Sequence, residues 1–149
     1  MIVVEKSIVI ARPVEEVFAY VTDFRHSPEW QEGMLEVRKM TDGPLRVGTR
    51  FEFVRKLMGR KVDGAVEFVA YKPNSEARWT LIGGPMPGQA SYLLESTPEG
   101  TNVTNTVELH PSGLSRLAGP FIAASIRRQM SAAQRTLKEL LENRAGISS

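Results

Sequence analysis

The sequence predicts an α+β protein: a curved, seven-stranded antiparallel sheet, two short helices after the first strand and one long C-terminal helix, in the order βααββββββα. Three observations lead there. An apolar, β-branched run opens the chain and is followed at once by a proline-led amphipathic segment. From Met34 to His110 apolar residues alternate with a period of two, cut by turn signals too closely spaced for a crossover helix. Beyond His110 the period becomes helical and stays so to about Arg144.

The first strand is "MIVVEKSIVI", bounded by "ARP". Pro13 suits the first position of a helix, and Glu15 and Glu16 fall in its first turn, where the helix dipole favours acids. Val14, Val17, Phe18 and Val21 recur at i, i+3, i+4 and i+7, one apolar face of a helix that ends near Thr22 or Asp23. "SPEW" reads as a fresh start, with Ser27 as cap, Pro28 in the first helical position and Glu29 at the positive end of the dipole. Asp23 caps the turn before it in the same way.

Turn signals then recur at "TDGP" (41–44), "MGR" (58–60), "KPNSE" (72–76), "GGPMPG" (83–88) and "TPEG" (97–100), leaving about six strands joined as hairpins. Phe51, Phe53, Arg55 and Leu57 share one face; so do Ala77, Trp79 and Leu81; Ala90, Tyr92 and Leu94; and Val103, Asn105, Val107 and Leu109. That alternation describes a sheet with one covered and one wet face.

The last helix carries the stripe Leu117, Phe121, Ile122, Ile126, Met130, Ala133, Leu137, Leu140 and Leu141, with Ser112 as its expected cap. Arg116, Arg127, Arg128, Arg135, Lys138 and Glu139 lie largely off the stripe. Gly119-Pro120 should kink the helix or split off its first turns, because proline removes a donor and clashes with the preceding turn. Residues 144–149 read as a frayed tail, and the absence of repeats and linkers predicts one domain over 1–149. One helix is narrower than the face of a curled sheet, so a cavity, mainly apolar with a few polar groups, is expected beneath it.

Composition narrows the function classes. The 149 residues are 42% hydrophobic and 24% charged, with 19 bases against 17 acids, a net charge of +2 and an isoelectric point near 9.1. So small an excess, with no basic block interleaved with aromatics, argues against a nucleic-acid partner. Cysteine is absent and His26 and His110 are the only histidines, so thiolate and histidine metal sites are not expected, nor is any cofactor. The longest apolar runs are too short to span a bilayer and the N-terminus lacks a signal-peptide layout, which makes a cytoplasmic location the expectation.

The stretch "ARPVEEVFAYVTDFRHSPEW" resembles the opening signature of the SRPBCC (START-like, Bet-v-type) superfamily, especially its polyketide cyclase/dehydrase branch. The likeness continues in "VGTRFEF", "VEFVAYKPNSEARW" and "LKELLENR", nearly the whole chain. The resemblance implies a helix-grip fold with a deep hydrophobic pocket between the sheet and the last helix. Its members bind lipids, sterols, polyketides or plant hormones, and a minority catalyse cyclisation or dehydration. Many relatives carry an aromatic residue where this chain has His26, in a pattern like "DFENWPEW".

Asp23, Arg25, His26, Glu29 and Trp30 invite a catalytic reading, with His26 as a weak candidate for general acid-base work. Consecutive side chains on a helical turn diverge, however, so the five cannot all face one pocket. The structural alternative has Asp23 and Ser27 as caps, Trp30 as a core or cavity-wall ring, and Arg25, His26 and Glu29 toward water; His110 likewise reads as solvent-facing. Arg55 and Asn105 are in phase with apolar residues, so each must be hydrogen-bonded, face a ligand, or sit at a bulge or strand end. Tyr92 offers a hydroxyl either to a ligand or to a structural partner. Phe53, Phe68, Trp79, Leu81 and Leu94 would form the apolar wall, faced by Phe121 and Met130 from the helix. "GGPMPG" reads equally as a gate or a plain hairpin loop.

The leading expectation is a binding protein, of transport or sequestration type, for a small hydrophobic ligand such as a lipid, polyketide or isoprenoid in an internal cavity. The alternatives are a polyketide cyclase/dehydrase-type enzyme on the same scaffold and a protein-interaction module. Expected partners are a small hydrophobic molecule and, through the basic residues of the last helix, transient contact with a membrane surface. No nucleic acid is expected, and the chain is expected to be a monomer or weak homodimer.

Overall fold

A computed structural model of the protein describes residues 1–57, 59–83 and 86–148, with side chains at all of these except 57, 114, 115 and 145–148. In chain order the elements are β1 (Ile2–Ile10), α1 (Val14–Thr22), a 3-10 turn (Phe24–His26), α2 (Ser27–Trp30), β2 (Met34–Lys39), β3 (Arg50–Leu57) and β4 (Arg60–Lys72). There follow β5 (Glu76–Gly83), β6 (Gly88–Thr97), β7 (Gly100–Leu109), a second 3-10 turn (Gly113–Arg116) and α3 (Gly119–Ser148). The seven strands pair antiparallel in the order β1-β7-β6-β5-β4-β3-β2, which puts β1 and β2 at the edges. Breaks of register in β2 (Met34/Glu36) and on the β4–β5 ladder (Ala65/Val66 and Phe68/Ala70) bend and twist the sheet locally. This is a helix-grip fold: a curved sheet wrapped toward a long C-terminal helix.

The alternating residues close a core on the concave face. Phe51, Phe68, Ala77, Leu94 and Val103 from the strands meet Val17, Phe18 and Val21 of α1 and Leu137 and Leu141 of α3. Phe24, in the 3-10 turn, packs its ring edge-on against Phe68 and Trp79, with centroids 5.3 and 4.8 Å away. Phe53 lies over Gly64 on the neighbouring strand, where an added Cβ would fall 2.3 Å from its ring. Glycine there is what lets the ring lie flat on the sheet.

The helix starts differ in detail from the sequence reading. Pro13 is the cap of α1 and Val14 its first helical residue. Asp23 caps the 3-10 turn as expected, accepting from the Arg25 backbone N–H at 3.2 Å. Ser27 does not act as a side-chain N-cap: His26 precedes α2 in that position, and Ser27 is buried as the first residue of the helix. Ser112 likewise stands apart from the start of α3, which begins at Gly119 with Pro120 next to it, so the proline separates the 3-10 turn from the helix. At the other end α3 runs to Ser148, past the expected stop near Arg144, and Ser149 lies outside the described residues.

Two members of the expected apolar stripe are corrected. Leu117 is 80% and Phe121 79% exposed. Leu117 precedes the helix, so the helical period does not set its direction. Phe121 is one residue, or about 100° of arc, from Ile122, which begins the packed row Ile122–Ile126–Met130. The polar row Gln134, Lys138 and Glu142 has a role that periodicity does not reveal. Gln134 donates to the Lys6 carbonyl (2.9 Å), Lys138 donates to the Val9 carbonyl (2.7 Å), and Glu142 accepts from the Ala11 N–H (2.8 Å). Side chains one helical turn apart thus cover the free edge of β1, which would otherwise offer unpaired backbone groups.

Candidate functional site

Burial along the concave face is graded. At the α1 end Phe51, Thr101 and Ile10 are wholly buried. Further along the strands, toward the β3–β4 and β5–β6 hairpins, Phe53, Arg55, Leu81, Asn105, Val107 and Leu109 are only half-buried. The first half of α3 lies over this second region, where Met130 packs with Ile2 and Val4, flanked by Val107, Leu109, Ile122 and Ile126. The interior therefore consists of a dense aromatic core at one end and a less deeply buried apolar half, the candidate cleft, at the other. Two shallow surface depressions, of about 420 and about 380 Å³, lie elsewhere: beside the start of α1 and the β6–β7 turn, and over β2–β4.

The expected apolar wall divides across this boundary. Phe68 and Leu94 belong to the packed core, where Phe68 stacks on Tyr71 at 5.9 Å. Trp79 is buried between Phe24 and Tyr92, 4.8 Å from each ring centroid. Phe53, Leu81 and Met130 stand at the cleft, whereas Phe121 points to solvent on the far side of α3. The side chain of Leu57, Met58 of the β3–β4 turn, and Gly84 and Pro85 of the "GGPMPG" stretch, read equally as gate or plain loop, lie outside the described residues.

The polar groups of this region are few. Trp30 Nε1, Arg55 Nε and Asn105 Oδ1 are buried without a hydrogen-bond partner among the described residues. They are tied to one another through the turn after α2. Trp30 lies 6.4 Å from Tyr92, centroid to centroid, and Tyr92 is the cross-strand partner of Asn105. The Tyr92 hydroxyl is hydrogen-bonded to Gln31, and Arg55 stands opposite Met34, at the start of the strand that follows this turn. Burial pushes the Tyr92 phenol well above its ordinary range and lowers the Arg55 guanidinium, since a low-dielectric surrounding disfavours the charged form of each.

Lys6 is a member that the sequence reading missed. It is in phase with Ile2, Val4, Ile8 and Ile10, is half-buried, and is the cross-strand partner of Asn105. Its signal was present, a charge in an apolar phase, but a β-branched run masks a single lysine. With Lys6, Arg55 and the Trp30 N–H, the polar complement is rich in donors. Among the described residues the concave-facing positions of the strands carry no carboxylate and no imidazole.

His26 lies apart from this face. Its ring stacks on Tyr20 (4.4 Å, 16° between planes) and its Nδ1 is 3.0 Å from the Glu29 carboxylate. The Arg144 guanidinium covers the Tyr20 ring at 5.1 Å. Burial first, and the Glu29 charge second, push the Tyr20 phenol up to about 12. Partial burial works against ionisation of Asp23, but hydrogen bonds from the Arg25 side chain, at 2.8 and 2.7 Å, and backbone outweigh it and hold the carboxyl below its ordinary value. The stretch from Asp23 to Trp30 is thus mainly a helical junction, and Trp30 alone among its five candidates is buried. His110 is exposed.

Comparison with known proteins agrees with the architecture. Residues 1–142 match the family described as polyketide cyclase / dehydrase and lipid transport. The chain belongs to this family. The START superfamily protein of Mycobacterium smegmatis superposes over 100% of both chains at 14% identity, with a TM-score of 0.74. The Zhui aromatase/cyclase from Streptomyces sp. R1128 superposes over 96% of this chain and 94% of its own, at 12% identity and a TM-score of 0.77. At such identities the likeness is one of fold. The uncharacterized protein Rv0088 of Mycobacterium tuberculosis is 30% identical over 112 residues, 74% of this chain; the chain spans about half of that relative's length, since the match covers 49% of it. In this member of the polyketide cyclase/dehydrase and lipid-transport family, no helix among the described residues is long and apolar enough to cross a membrane.

Proposed function

We propose that the protein binds a small, largely apolar molecule carrying an oxygen acceptor or anionic group, such as a fatty acid or polyketide-like phenol. The ligand would occupy the cleft between the open half of the concave face and the first half of α3. One observation carries this reading: Trp30 Nε1, Arg55 Nε and Asn105 Oδ1 are buried and unpartnered around an otherwise apolar region. An unpaired buried polar atom costs about 1–3 kcal/mol, so three in one region mark a place that a ligand's polar atoms would complete. Phe53, Leu81, Val107 and Met130 would supply the apolar contact. Arg55 and Lys6 select a negative or oxygen-rich group, and Asn105 Oδ1 accepts from a hydroxyl.

A cyclase/dehydrase activity of the acid-base kind would need a proton carrier at the cleft. The strands offer Tyr92, Arg55 and Lys6 there, none of them a carboxylate or imidazole, and His26 lies outside. Binding is therefore the reading the chemistry supports best.

The test is titration of the full chain with a long-chain fatty acid and with its neutral alcohol, followed by tryptophan fluorescence. Saturable binding is expected. Arg55→Met should weaken the acid roughly ten-fold or more, as a charge-assisted hydrogen bond is worth about 1.5–3 kcal/mol, and should leave the alcohol little changed. Absence of saturable binding of either probe, or equal losses for both, would overturn the reading.

A further inference from the structure

Between Leu109 and Lys138 the chain carries Arg116, Arg127, Arg128, Arg135 and Lys138 and no acid at all, so the rest holds 14 bases against 17 acids. The modest net charge hides a polarised molecule. Lys138 is engaged by Glu142 at 2.7 Å, but Arg116, Arg127, Arg128 and Arg135 have no acidic partner among the described residues, and all four are exposed. On this basic segment sit Leu117 and Phe121, the two most exposed large hydrophobic residues among those described. Phe121, Arg128 and Arg135 recur every seventh residue, two helical turns, so they share one outward face of α3.

We infer that this face docks on an anionic bilayer surface, Leu117 and Phe121 entering the acyl boundary and the arginines meeting lipid phosphates. The dimensions agree. A helix lying in the interface buries its docking face by about 5–10 Å, so Phe121 can reach the acyl boundary while Arg128 and Arg135, on the same face, meet the headgroup phosphates. The apolar pair distinguishes a bilayer from a nucleic acid, which would use the arginines and have no place for an outward leucine. The same end of α3 flanks the open half of the concave face, so docking would set the cleft beside the membrane. This inference goes beyond the ligand reading and stands or falls separately from it.

The test is sedimentation of the full chain with vesicles of phosphatidylcholine alone and with about 30% phosphatidylglycerol, at low salt. Partitioning at least roughly ten-fold stronger into the anionic vesicles is expected, falling steeply as salt is raised. Leu117→Ser with Phe121→Ser should lower it roughly ten-fold or more. Arg128→Gln and Arg135→Gln should lower it roughly five-fold each. All these side chains are exposed, so the melting temperature and ligand titration in solution should not move. Equal partitioning into neutral vesicles, no partitioning, or indifference to the Leu117/Phe121 pair would each overturn the inference. So would tight binding of a DNA duplex that displaces the vesicles and ignores that pair.

Discussion

Asn105 stands directly opposite Tyr92 on the β6–β7 ladder, and the two polar side chains meet opposite fates. The Tyr92 hydroxyl is hydrogen-bonded to Gln31, whereas Asn105 Oδ1 is buried with no partner. Tyr92 belongs to the architecture: it fixes the turn after α2 against the sheet. Asn105 contributes nothing comparable to the unliganded fold. Two adjacent positions of one face therefore separate a structural polar group from one held in reserve.

That separation gives the first prediction. Asn105→Leu replaces an unpartnered buried acceptor with an apolar side chain of similar volume, and should raise stability by about 1 kcal/mol. In a chain of this size the melting temperature should rise by roughly 2–4 °C. Affinity for a hydroxyl-bearing ligand should fall in the same variant. Thermal unfolding together with ligand titration checks the pair of outcomes; a destabilised variant with unchanged affinity would make Asn105 a structural residue.

Alkaline pH should expose the two buried phenols. Tyr20 is raised to about 12 and Tyr92 is raised further by complete burial, whereas a phenol in the unfolded chain titrates near 10. Raised values mean that the folded state holds the proton. The contribution is present in full below about pH 10 and is lost as pH climbs from there toward the folded values. Each phenol should remove about 1.4 kcal/mol of stability per pH unit in that window. Urea unfolding at a series of pH values from 9 to 11.5 reads the slope, which Tyr20→Phe with Tyr92→Phe should flatten while leaving other alkaline titrations in place.

His26 tests the catalytic alternative. Its ring is stacked on Tyr20 and held by Glu29 on the outer side of the helical junction. His26→Ala should cost about 0.5–1.5 kcal/mol through the lost stack and hydrogen bond and should leave ligand affinity unchanged. Urea unfolding and the fatty-acid titration measure the two effects. A large loss of affinity or of any turnover without loss of stability would return His26 to the site.

The strands, their faces and the inward Arg55 and Asn105 were legible because a period of two is a direct consequence of backbone geometry. The same rule explains Lys6, which lies in the apolar phase of β1, although a β-branched run conceals its charge. What the sequence did not show depends on what lies beside a residue. Lys138 reads as lying off the apolar stripe, yet with Gln134 and Glu142 it covers the open edge of β1, because periodicity separates polar from apolar without naming the partner. Phe121 misled in the opposite way: being apolar and close to the stripe, it was assigned inward, though it lies about 100° off the packed row. The sequence suggested a cavity beneath the last helix without saying how far it extends, and ring packing around Phe24 fills the half of the concave face nearest α1.

The β6–β7 turn offers the sharpest test of the fold itself. Gly100 has φ +140°, and a Cβ there would lie 2.1 Å from the Ile10 carbonyl oxygen and 2.8 Å from the Ala11 Cα. Both are backbone atoms, held where Thr101 donates to the Arg12 carbonyl at 2.8 Å, so neither can yield cheaply. Gly100→Ala must therefore push the β1–α1 connection away from the sheet, at a cost of about 3 kcal/mol or more. Gly48 provides the contrast: at φ +95° it is strained for any side chain, but nothing lies within 4 Å of its added Cβ. Gly48→Ala should lose only about 1–2 kcal/mol, the conformational part alone. Urea unfolding of the two variants side by side separates collision from strain, and equal losses would mean that Gly100 is required in its turn by backbone conformation and not by the close approach of β1.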